Sequence, residues 1–156
     1  MRHAIGPRKE MAVRTLFNVL GPLTNPAKVK RQVVGVFAKN LTDTLANVFK
    51  QLGSEHSLVV HSDDGMDEIS ICAPTTVSEM RDGKVQRYRI KPEDFGLKTA
   101  KLEEIVVPDS AASLALIDTI LEAESGAARD IVVLNAGAGI YVSGLAESLK
   151  IGVQMA

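Results

Sequence analysis

Apolar positions change their spacing several times along the chain, and each change marks an element. Over 8–20, Val13, Leu16, Phe17 and Leu20 recur at i, i+3, i+4 and i+7, the stripe of one helix face. Pro7 suits the start of that helix and Gly21-Pro22 its end. The following Leu23-Thr24-Asn25-Pro26 reads as a loop. QVVGVF, over 32–37, is a short β-branched run and predicts a buried strand. Leu41, Leu45, Val48, Phe49 and Leu52 return to helical spacing, with Asn40 placed as N-cap and Gly53 just past the end. HSLVVH, over 56–61, is a second strand. Strand, helix and strand in so short a span make a βαβ unit, which predicts parallel strands joined by a right-handed crossover.

The pattern then shortens. After the polar loop SDDGMDE come ISICA, TTVSEM and VQRYRI, the last two reading as a hairpin around Asp82-Gly83. Over 91–107 the spacing predicts little beyond a loop and a short strand near Ile105. Leu114, Ile117, Ile120 and Leu121 predict a helix begun by Asp109 or Ser110 and ended by Gly126. The stretch 130–144, DIVVLNAGAGIYVSG, stays open between strand and buried helix, because its β-branched residues favour one and its length and alanines the other. Leu145, Leu149 and Val153 give a helical tail. There is no internal repeat or low-complexity linker. The expected fold is therefore a single α/β domain over 1–156, a partly parallel sheet with flanking helices.

Composition narrows the chemistry. A chain of 156 residues with 46% hydrophobic positions supports one packed core. A formal net charge of -1 argues against a general nucleic-acid or membrane-surface binder. No apolar run approaches the ~20 residues of a membrane span. The single Cys72 excludes an intramolecular disulfide and fits a reducing, cytoplasmic setting. Charge is uneven, with a net +6 over residues 1–31 and -7 over the rest. This admits an anion site near the N-terminus, although a complementary packing surface is the simpler reading.

Few spacings carry chemistry unaided. Gly137, Gly139 and Gly144 do not form a dinucleotide fingerprint, since Val142 stands where the third glycine belongs; they read as close helix packing. Asp63-Asp64-Gly65-Met66-Asp67-Glu68 is the most suggestive segment. It follows the second parallel strand, at the carboxyl end of the sheet, where open α/β folds take ligands. Two of its carboxylates would suffice for magnesium, which keeps waters and shares its shell with phosphates; a solvated Asp-Gly turn is the bland alternative. Arg8, beside Lys9 and near Arg14, presents a planar fork suited to a carboxylate or phosphate, with a plain surface arginine as its alternative. His3, His56 and His61 are too scattered for a metal triad, and Cys72, in an apolar run, reads as a buried inert thiol.

Four blocks, RTLFNVLGPLTNP over 14–26, VVHSDDGMDEIS over 59–70, PEDFGL over 92–97 and RDIVVLNAGAGIYVSG over 129–144, together resemble the anthranilate phosphoribosyltransferase family in order and spacing. Thymidine and pyrimidine nucleoside phosphorylases share the fold but not this set of words. The resemblance implies the C-terminal part of a nucleoside phosphorylase/phosphoribosyltransferase-type domain. It also implies a glycosyl transfer of tryptophan biosynthesis, in which the amine of anthranilate displaces magnesium-bound pyrophosphate from phosphoribosyl pyrophosphate. Arg8 matches the family arginine that contacts the anthranilate carboxylate, and Asp67 and Glu68 match the acidic pair that holds Mg2+. Arg14 and Asn18 match recurrent family positions without an assigned role.

The family's Gly-Thr-Gly-Gly-Asp and Lys-His-Gly-Asn segments do not occur in the chain, Val107-Pro108-Asp109 stands where many members have Gly-Gly-Asp, and Ser113 where Asn is common. The resemblance therefore implies a portion truncated at both ends, without the N-terminal helical domain and the phosphate-loop half. Such a portion is expected to be inactive alone and to self-associate through exposed apolar surface. The alternatives are a non-catalytic interaction or regulatory domain derived from the enzyme, and a nucleoside phosphorylase fragment.

Overall fold

The computed structural model describes residues 17–156. Four strands form one sheet in the order β1-β2-β3-β4, with β1 at Arg31–Gly35, β2 at His56–Ser62, β3 at Thr75–Arg81 and β4 at Lys84–Ile90. As the βαβ pattern predicts, β1 and β2 are parallel, Val34 lying opposite Val59; the other two pairings are antiparallel. The β3–β4 hairpin turns through Asp82 and Gly83, both left-handed (φ 50° and 71°), in a two-residue loop whose twist matches that of the strands.

Alternation along the two central strands divides the core. Val59 and Met80 face one way and pack with Leu45, Ala46 and Phe49 of helix α2 (Leu41–Gln51), joined by Val19 and Leu23 of α1 (Phe17–Leu23). Leu58, Val60 and Val77 face the other way, onto Leu134, Ala138 and Val142 of α4 (Ala127–Ser143) and Leu149 and Val153 of α5 (Leu149–Met155). The stretch left open between strand and helix is thus helical. Its small residues explain the ambiguity: a Cβ on Gly137 would lie 2.5 Å from Val153 Cα, and one on Gly152 2.3 Å from Gly137 O, so α4 and α5 touch backbone to backbone.

Several boundaries differ from the expected ones. Helix α1 continues through Gly21 and Pro22 to Leu23; Pro22 lies so near the end that little of the hydrogen-bond ladder is lost, and Thr24 closes the turn by donating both N–H (3.0 Å) and Oγ1–H (2.9 Å) to Leu20 O. Helix α3 (Ser110–Leu121) is capped by Asp109, whose carboxylate accepts the Ala112 N–H at 2.8 Å, but it stops before Gly126, with Ala123 left-handed at φ 61°. Near Ile105 there is no strand; a 3-10 turn, Leu102–Glu104, takes its place. ISICA forms no strand either, because side chains rather than a neighbouring strand engage the backbone of Ile69 and Ser70. Among the described residues, no helix is long and apolar enough to cross a membrane.

Candidate functional site

The acidic loop leaves the carboxyl end of β2, and its four carboxylates have different fates. Asp63 pairs with Arg89 of β4 and lies 3.5 Å from Lys39 Nζ. Asp64 turns inward on its own loop: Oδ1 accepts the Met66 N–H at 3.1 Å and Oδ2 accepts the Ser70 hydroxyl at 2.6 Å. Partial burial works to raise the Asp64 pKa, but the hydrogen bonds from Ser70 and Met66 prevail and lower it, keeping the carboxylate charged. Asp67 and Glu68 are exposed, and neither carboxylate is hydrogen-bonded or ion-paired to a described residue.

The backbone under that exposed pair is held firmly. Ser62 N–H donates to Met66 O and Gly65 N–H to Ser62 O, both at 3.0 Å, while Gly65 adopts φ 93°. The Asp67 carbonyl rests directly on Gly35 at the exit of β1; a Cβ there would lie 1.4 Å from Asp67 O. Asp67 and Gly35 also help line a cleft of about 250 Å³, completed by Val19 and Pro22 of α1, Val36, Phe37 and Leu45. His61 ties the neighbouring strand ends, its Nδ1 donating to Val36 O at 2.8 Å.

A different carboxylate is buried toward the opposite end of the sheet. Glu79 of β3 accepts hydrogen bonds from His56 Nε2 (2.8 Å), the Tyr141 hydroxyl (2.6 Å) and the Tyr88 hydroxyl (2.9 Å). Burial would raise its pKa, but these donors outweigh it and the carboxyl sits below its ordinary range. Burial and the neighbouring carboxylate push the Tyr88 and Tyr141 phenols up, so both remain protonated donors. Arg81 donates to Tyr141 Oη at 3.2 Å and its guanidinium lies 5.7 Å from that ring's centre. Sequence reasoning missed this cluster, whose members come from β2, β3, β4 and α4.

Of the residues singled out in the sequence, Asp67 and Glu68 lie at the carboxyl ends of the parallel strands; Arg8 lies outside the described residues. Cys72 is half-buried rather than buried, and burial raises its thiol pKa, consistent with an inert role. No cluster of three or more His, Cys, Asp or Glu among the described residues forms a metal cage. Two exposed neighbouring carboxylates without a donor among the described residues suit a hard cation that completes its shell with water and ligand oxygens. Gly35, isolated in a strand run, carried a readable signal of close backbone approach that the sequence reading did not take up.

Residues 1–156 match the family described as "Glycosyl transferase family, a/b domain". The chain is 57% identical over 156 residues to the anthranilate phosphoribosyltransferase of Thioalkalivibrio sulfidiphilus (strain HL-EbGR7), covering 100% of this chain and 46% of that protein. It is 54% identical over 158 residues to that of Marinomonas sp. (strain MWYL1), with the same two coverages. Among solved structures, the anthranilate phosphoribosyltransferase from Thermus thermophilus superposes with TM-score 0.89 at 40% identity, covering 99% of this chain and 46% of that one. The Saccharomyces cerevisiae enzyme in complex with PRPP and Mg gives TM-score 0.82 at 25% identity, covering 99% and 45%. The chain thus spans just under half the length of the relatives it matches.

Proposed function

The chain belongs to the glycosyl transferase family through its a/b domain, and from that membership we propose that it is the magnesium- and anthranilate-contacting portion of an anthranilate phosphoribosyltransferase of tryptophan biosynthesis. The observation that supports this reading is the placement of Asp67 and Glu68, exposed at the carboxyl ends of the parallel strands, with Asp67 lining a cleft beside Val19 and Pro22 of α1.

In the proposed reaction the anthranilate nitrogen forms a bond to the anomeric carbon of phosphoribosyl pyrophosphate as the carbon–oxygen bond to pyrophosphate breaks, and the amine loses a proton to solvent. A Mg2+ ion held by Asp67 and Glu68 would supply charge neutralisation on the departing pyrophosphate. Arg8 would orient the acceptor by gripping its carboxylate, so that positioning and electrostatics rather than a covalent intermediate supply the acceleration. Asp63 and Asp64 serve the loop itself, through Arg89, Lys39 and Ser70. The working compartment is the cytoplasm, on the argument from the single cysteine.

The chain lacks the Gly-Thr-Gly-Gly-Asp string, so alone it is expected to show little or no turnover. Calorimetric titration with anthranilate, repeated on Arg8→Ala, tests the binding arm: retained binding in wild type and loss in the variant supports the reading, and no binding in wild type refutes it. Robust turnover with both substrates and Mg2+ would overturn the incomplete-site reading. Self-association belongs to the same proposal. Leu114, Ile117 and Leu121 of α3 are 61%, 47% and 78% exposed, an apolar face on a helix with no buried residue. Sedimentation is expected to show concentration-dependent association, and a monomer at all concentrations refutes it.

A further inference from the structure

We propose that Asn135 and Gly35 are positioning residues for the Asp67–Glu68 pair, an inference that rests on the magnesium reading above. One side chain of α4 engages both backbone groups of the residue that follows Glu68. Asn135 Oδ1 accepts the Ile69 N–H at 3.0 Å, and Asn135 Nδ2 donates to Ile69 O at 2.9 Å. The same Nδ2 donates to Ile131 O, also at 2.9 Å, one turn earlier in its own helix. Both Nδ2 hydrogens are thereby engaged, and a flipped amide would turn its oxygen toward two carbonyls. The amide has one orientation, and the Ile69 peptide is fixed with it.

Gly35 works on the other side. The Asp67 carbonyl occupies the space where any other residue at 35 would carry its Cβ, so β1 forms a floor beneath the loop. Between floor and clamp lies a single residue, Glu68. The two backbone anchors therefore fix the main chain at Asp67 and just past Glu68, while no described residue engages the two exposed carboxylates themselves. Such a division, fixed main chain and open side chains, pre-aims two oxygen donors at an outside ligand. Groups standing behind metal-binding side chains act this way, and their loss weakens metal affinity by about 10–100-fold.

The test uses the whole chain and manganese(II) as a paramagnetic probe, read by NMR line broadening, together with amide hydrogen exchange. In wild type, manganese is expected to broaden the Asp67 and Glu68 amide signals first, and Asp67→Asn with Glu68→Gln to abolish this. Asn135→Ala and Gly35→Ala are each expected to raise the broadening midpoint about tenfold or more. In Asn135→Ala, exchange at Ile69 should accelerate about tenfold or more, the loss of one to two hydrogen bonds, while exchange in β2 and β3 stays unchanged. Asn135→Ser offers a milder change should Asn135→Ala fail to fold.

Unchanged manganese midpoints in both positioning variants, with wild-type binding intact, overturn this inference and leave the proposed function standing. Absence of manganese binding in wild type overturns the magnesium reading and this inference with it. Ile69 exchange in wild type as fast as that of Glu68 shows that the clamp does not form, and refutes the inference without any variant.

Discussion

Two carboxylate sites lie toward opposite ends of one sheet and are built on opposite plans. At Glu79 the protein supplies every donor itself, from His56, Tyr88 and Tyr141, and seals the group beneath α4. At Asp67 and Glu68 the described residues offer the side chains no donor, and their hydrogen bonds go to the main chain behind them. A buried charge has value to the fold only when the fold satisfies it, whereas an exposed charge near a rigid backbone contributes little to stability. The first arrangement holds the sheet and α4 together; the second leaves bonding capacity for something from outside.

The contrast is sharpest in stability measurements. Glu79→Ala removes the acceptor shared by three donors and is expected to destabilise by about 3–5 kcal/mol, as for one member of a buried pair; urea denaturation reads this, and a loss no larger than that of a surface mutant would erase the distinction. Gly35→Ala is expected to cost about 1–3 kcal/mol, because the Asp67 backbone must move to admit a methyl group. The dependence on acid separates the ends further. A Glu79 pKa below the ordinary value means a contribution complete above the unfolded carboxylate range, near ~4.3, and lost as pH falls through the lowered folded value. The stability gap between wild type and Glu79→Gln is therefore expected to be widest at neutral pH and to close in acid. A smaller acid-sensitive part remains in the variant from Asp64, whose pKa is lowered as well. At the bottom of the scale, Asp67→Asn and Glu68→Gln are each expected to change stability by less than about 0.5 kcal/mol. A large loss in either would mean that the exposed pair has an internal task after all.

The same contrast explains what could be read in advance. The βαβ unit and the hairpin were legible because β2 and β3 are β-branched runs, α2 keeps its apolar residues at helical spacing, and Asp82-Gly83 supplies the left-handed turn. The stretch that became α4 stayed ambiguous because its small residues answer to α5, a neighbour no local window contains. Asp67 and Glu68 were picked out by resemblance to a family; spacing alone did not separate them from Asp63 and Asp64. That separation depends on Arg89, Lys39 and Ser70, which only the fold brings into place. Glu79 gave no signal at all, since a lone acid in a strand looks the same whether or not a histidine and two tyrosines converge on it. Ile105 misled because its run of β-branched neighbours fits a strand, yet the Leu102–Glu104 turn captured it first.

The contact between Gly35 and the Asp67 carbonyl gives the loop a one-sided stiffness. Toward the sheet it has nowhere to sink. A charge pulling the two acids outward meets hydrogen bonds, from Ser62 N–H to Met66 O and from the amide of Asn135 to Ile69, whereas one pressing inward meets a β-strand. A ligand that loads this end of the molecule therefore works against a spring in one direction and an anvil in the other.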